Sequence, residues 1–134
     1  MSAAETRPPR APVVVEASQR PAMRPPLPDG TPRGLEYRVM MDDVPGAPVV
    51  QLTYYEPHWT EPRHRHLEDE ILLLFEGELT IGEAVYSSPA TVYVPRGVLY
   101  GPLIAGETGA KFFRIPYNEG TFIPPHQRGG MEHG

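Results

Sequence analysis

From residue 35 onward the chain alternates apolar and polar residues at a period of two. Residues 35–41, Leu-Glu-Tyr-Arg-Val-Met-Met, show the pattern first, and it predicts a strand with one face buried. Residues 49–55 are rich in β-branched and aromatic side chains and predict a second strand, with Asp42, Asp43, Pro45 and Gly46 marking the turn between the two. Residues 78–86 read as a hairpin folded at Gly82 and Glu83. Residues 91–94, 98–104 and 110–117 continue the series. Turns are predicted at Ser87-Ser88-Pro89, at Pro95-Arg96-Gly97 and across residues 105–109. No stretch carries the period of an amphipathic helix. Short strands separated by Gly and Pro define an all-β sandwich or barrel.

One segment breaks the alternation. Residues 71–75, Ile-Leu-Leu-Leu-Phe, are apolar on both parities, and Glu76-Gly77-Glu78 reads as the turn that ends the strand. An antiparallel strand with one wet face keeps that face polar. The outer face here is therefore expected to be covered, most simply by a second copy of the chain in a homodimer.

Residues 1–34 differ in texture. They hold eight of the eighteen prolines, which remove amide donors and fix φ, so neither a helix nor a central strand fits. The expected organisation is a proline-rich, extended or partly disordered arm (1–34), a β-barrel (35–117) and a C-terminal tail (118–134). Within the arm only Val13-Val14-Val15 has the character of a strand. Net charge is −5 and the acids are concentrated after residue 34, which argues against a nucleic-acid partner. Cysteine is absent, so thiol and disulfide chemistry is excluded. No apolar stretch approaches a membrane span, and the N-terminus lacks an apolar signal core. The expectation is a cytoplasmic protein with a small-molecule substrate.

The candidate chemistry lies at residues 64–70. His64 and His66 are two apart, so on a strand both imidazoles face one side. Glu70 follows at the same parity. Two neutral imidazoles and a carboxylate are a ligand set for one divalent transition metal, with iron(II) favoured and zinc, manganese, nickel and copper also accepted. Leu72 and Leu74 share the parity of Glu70 and are expected to line the site. Tyr54, Trp59, Tyr93 and Phe113 are further lining candidates. Arg96, in the Pro-x-Gly turn, is a candidate to hold a substrate carboxylate.

His64, His66, Glu70 and Gly77 have the spacing of the first motif of the cupin superfamily, and Pro95 and Gly97 supply the Pro-x-Gly of its second, so the chain resembles a small single-domain cupin. The resemblance implies a jelly-roll β-barrel. Three departures stand out: His58 and Pro89 replace motif glycines, and Tyr100 takes the place of the second motif's metal-binding histidine. Three roles are open to Tyr100: a filler in a silent site, a phenolate ligand, or a general acid or base whose pKa would need depressing to act as a base near neutrality. Three functions follow. The favoured one is a mononuclear non-haem iron(II) dioxygenase acting on a chelating substrate. The second is a redox-neutral metal-dependent lyase, isomerase or cyclase using Tyr100 as acid or base. The third is a ligand-binding cupin without catalysis.

Overall fold

The computed structural model describes residues 7–117 together with the backbone of 131–133. Among the described residues there are nine strands: β1 (Leu35–Val39), β2 (Gln51–Tyr55), β3 (Thr60–Glu61), β4 (His64–His66), β5 (Asp69–Ile81), β6 (Ala84–Ser87), β7 (Ala90–Val94), β8 (Leu103–Tyr117) and β9 (Met131–His133). The only helical element is one 3₁₀ turn, Ala17–Gln19, among the described residues. All strand pairs are antiparallel. The main sheet runs β1-β2-β8-β5-β6, with β3 added to β8 and β7 to β5, while β4 pairs with β9. None of the described helices is long and apolar enough to cross a membrane.

Strand parity sorts the side chains. Gln51, Thr53 and Tyr55 of β2 lie opposite Arg114, Phe112 and Ala110 of β8, and Leu72 and Leu74 of β5 lie opposite the same Arg114 and Phe112. Cross-strand partners share a face, so one inward face unites all of these. Its core is Leu35, Tyr55, Leu72, Leu74, Leu79, Leu103, Ala105, Ala110 and Phe112.

Two turns expected from the sequence are instead places where long strands bend. Glu76-Gly77-Glu78 lies inside β5, which is paired to β8 through two register shifts around it. Gly77 has φ of 82°, and a Cβ there would collide with the carbonyl oxygen of Gly109. Bulges and glycines let a strand coil without ending. Residues 105–109 likewise lie inside β8, where Gly109 has φ of 84° and a Cβ would meet the carbonyl oxygen of Tyr55 at 2.6 Å. The hairpin at Gly82 and Glu83 forms between β5 and β6 as expected. Thr60 and Glu61 form a two-residue strand paired with β8.

The arm lies along its own barrel. Met23 and Tyr37 exchange backbone hydrogen bonds of 2.8 and 2.9 Å at the edge of β1. Arg38 reaches back to the carbonyls of Ala17 and Arg20, and Arg24 is paired to Glu36 and Glu56. Val13-Val14-Val15 forms no strand, and Val14 is exposed. The tail residues 118–130, and with them His126, lie outside the described residues.

Candidate active site

β4 is short because its work is local. His64 exchanges backbone hydrogen bonds with Tyr100, His64 N–H to Tyr100 O at 3.1 Å and Tyr100 N–H to His64 O at 3.0 Å. The Pro95-Arg96-Gly97 turn is anchored beside it, with Gly97 N–H donating to the carbonyl of His66. These bonds stack the Tyr100 ring on that of His64, centroids 4.8 Å apart. His64, His66 and Glu70 are all buried, Glu70 completely.

The three expected ligands and Tyr100 do come together, and Arg114 joins them. Nε2 of His64 and Nε2 of His66 are 3.1 Å apart, and Nε2 of His66 is 3.5 Å from Oε2 of Glu70. Tyr100 donates its hydroxyl to Oε1 of Glu70 at 2.6 Å. Arg114 gives its Nε–H to Oε2 of the same carboxylate, one Nη2–H to Nδ1 of His66 at 2.9 Å, and an Nη1–H to Oε1 of Gln51 at 3.1 Å. Its Nη2 also lies 3.6 Å from Oε1 of Glu68.

With both rings neutral, the hydrogen bonds at the ends of this network assign its protons. A guanidinium only donates, so Nδ1 of His66 accepts and the neutral ring carries its hydrogen on Nε2. A carbonyl only accepts, so Nδ1 of His64, 2.8 Å from Pro62 O, bears a hydrogen. The contact between the rings is then an N–H of His66 donated to the lone pair of His64. A one-way chain runs from Arg114 through His66 and His64 to Pro62. Burial, with the charge of Glu70 next, pushes the Tyr100 phenol above its ordinary value. With no cation bound, Tyr100 therefore keeps its proton and acts as a donor to Glu70.

For a metal, the positions and the protons give different answers. Two nitrogens about 3 Å apart match neighbouring ligands on one ion with bonds of about 2.1 Å. His64, with its far nitrogen on a backbone carbonyl, has the outer support such a ligand needs. His66 does not: its far nitrogen takes a hydrogen bond from a cation, and its near nitrogen carries a hydrogen. Glu70 already neutralises a guanidinium. As arranged, the donor set does not fit a cation. Among the described residues no group of three or more His, Asp or Glu side chains is arranged to hold a metal ion.

The cluster opens on a cavity of about 260 Å³. His64, His66, Leu72, Tyr100 and Arg114 line it, together with Gln51, Thr53, Tyr55 and, from the arm side, Pro25 and Arg33. At the arm side Glu61 is buried, paired with Arg33 at 2.8 Å and accepting the indole N–H of Trp59 at 3.0 Å. Trp59 itself lines a separate hollow beside the arm, and Tyr54 lines another on the outer face. Leu74 is buried core. Tyr93 is 57% exposed, and Phe113 stacks on Phe75 across the outer face. Arg96 is half exposed and paired with Asp69. Arg114 escaped the sequence reading, although a charged residue sharing the inward parity of Ala110 and Phe112 is the signal that marks it.

This is the fold of the cupins. No protein-family model matches the sequence, and no curated protein sequence matches it. Solved structures do resemble it. The polyketide cyclase RemF from Streptomyces resistomycificus superposes with a TM-score of 0.65 at 17% identity, over 92% of this chain and 85% of that one. HppE with iron(II) and an alternative substrate gives 0.64 at 15%, over 83% and 63%. A sugar phosphate isomerase of the cupin superfamily from Silicibacter pomeroyi gives 0.55 at 22%, over 63% and 60%. Similarity at these identities establishes architecture alone.

Proposed function

We propose that the chain is a redox-neutral enzyme of the lyase, isomerase or cyclase class, acting on a small molecule with an acidic C–H beside a carbonyl group. One observation carries the reading: a neutral phenol and a guanidinium, Tyr100 and Arg114, are held on the two oxygens of one buried carboxylate, Glu70, and both line one cavity. Glu70 orients them. When a substrate carbonyl enters, the Tyr100 O–H turns from Glu70 to the substrate oxygen, and Arg114 lies beside it to stabilise the charge that develops there. His64 takes the proton from carbon at Nε2, once substrate entry releases that nitrogen's lone pair from the N–H of His66. The bond from its Nδ1–H to Pro62 O then supports the imidazolium. The cyclase and the isomerase among the structural relatives share only architecture with this chain, so the reading rests on the cluster.

The test is hydrogen–deuterium exchange at the carbon beside the carbonyl of small 2-oxo acids in D₂O, followed by NMR with chelator-stripped protein. Exchange is expected to be catalysed, and to slow by roughly tenfold or more in Tyr100→Phe. Exchange that appears only after metal is restored would sink the reading.

A second reading is a non-haem iron(II) dioxygenase with His64, His66 and Glu70 as ligands and a chelating substrate. The 3.1 Å approach of the two imidazole nitrogens favours it. Zinc, manganese or nickel in the same place would support redox-neutral chemistry instead. Stoichiometric iron with oxygen uptake in an electrode cell is its signature. In either case we infer that the working unit is a homodimer, since Leu73, Phe75 and Tyr93 leave an apolar outer face on the sheet.

A further inference from the structure

We propose that Arg114 is the resident cation of this site: its guanidinium takes the electrostatic place a divalent metal would need, and the intact chain excludes metal from His64, His66 and Glu70 for that reason. The register sets Arg114 opposite both Leu72 and Gln51, on the inward face, where its side chain is 10% exposed. Its planar fork is spent in fixed directions, on Glu70, His66 and Gln51.

Two consequences follow for a metal. First, a ligating imidazole must offer a bare nitrogen and hold its hydrogen on the other. Arg114 imposes the opposite tautomer on His66. Moving the hydrogen to Nδ1 would set an N–H against the N–H of Arg114, and turning the ring would break the bonds to Arg114 and His64 together. Second, Glu70 is already paired with the guanidinium of Arg114, which also lies 3.6 Å from Glu68. A second positive centre would sit beside a guanidinium that cannot lose its proton. Leucine or valine at position 114 would remove both the donor that sets the His66 tautomer and the charge that offsets Glu70, so one side chain separates a metal-free site from a metal site on this backbone.

This rests on the first reading only in holding that the site works without metal. Its test measures metal content and tautomer and never turnover, so either can fail alone. Chelator-stripped protein is dialysed to equilibrium against zinc(II), and anaerobically against iron(II), and the bound metal is measured by elemental analysis. The intact chain is expected to retain far less than one equivalent. Arg114→Leu is expected to bind one equivalent, and Arg114→Leu with His66→Ala to lose it. Stoichiometric binding by the intact chain that disappears in His66→Ala overturns the proposal. So does a folded Arg114→Leu that stays empty. Should that variant fail to fold, ¹⁵N NMR of the intact protein decides: a hydrogen on Nε2 of His66 is expected, and one on Nδ1 refutes the assignment.

Discussion

The Tyr100 hydroxyl gives its hydrogen to Glu70 across 2.6 Å, thirty residues away along the chain. Tyr100→Phe keeps the ring stacked on His64 and removes only that donor. It leaves a buried carboxylate oxygen short of a partner, at a cost of about 1–3 kcal/mol. Denaturant unfolding should show the loss as a lower midpoint at unchanged slope. An unchanged midpoint would mean that solvent already satisfies Glu70.

Gly77→Ala tests the coiling of the two long strands. The position has φ of 82°, and a Cβ would strike the carbonyl of Gly109 in the partner strand. Strain at such a φ costs roughly 1–3 kcal/mol before the collision is counted. The melting temperature should fall by more than for Gly97→Ala, where φ is 76° but a Cβ meets nothing within 4 Å. Equal falls in the two variants would show that the contact with Gly109 is not tight.

Asp69 accepts the backbone N–H of Arg96 at 2.9 Å, and this bond, more than the paired guanidinium, lowers the pKa of its carboxyl. A depressed carboxylate stabilises the fold above its unfolded value, near 3.8, and the contribution is lost as pH falls below that. Stability against pH should therefore drop less steeply on the acid side in Asp69→Asn. The effect is small, because its partner Arg96 is half exposed and solvent screens the pair. Arg96→Ala should preserve most of the slope, since the backbone donor remains.

Phe75→Glu places a charge in the middle of the apolar outer face, beside Phe113 at a centroid distance of 5.2 Å. Light scattering after size exclusion should give a dimer for the parent and a monomer for the variant. A monomeric parent disposes of the homodimer.

Much of this was legible because period two is a local signal. The parity of residues 35–41 and 49–55 placed their strands, and the His-x-His spacing placed both rings on one side. The broken alternation at 71–75 marked an apolar outer face, where Leu73 is 36% and Phe75 46% exposed. What escaped was set by partners far away in sequence. Gly77 and Gly109 read as turn residues because nothing local says that β5 and β8 run on through them. Tyr93 and Phe113 look like pocket residues until register puts them outside. Arg114 reaches Glu70 from forty-four residues away, so the proton arrangement of the site was invisible until the strands were paired.

The arm's hold on the edge of β1 bears on how anything enters. β5 and β8 carry the floor of the cavity and are laddered together from Asp69 and Tyr117 to Ile81 and Leu103. Pro25 and Arg33, on its rim, are tied down by one backbone bridge at Met23 and by side-chain ion pairs, Arg24 to Glu36 and Glu56 and Arg33 to Glu61. Sections with few bonds open at lower free energy than laddered ones. The doorway is therefore hung on the proline-rich segment, and trimming residues 1–34 should speed ligand entry while the β5–β8 floor keeps its shape.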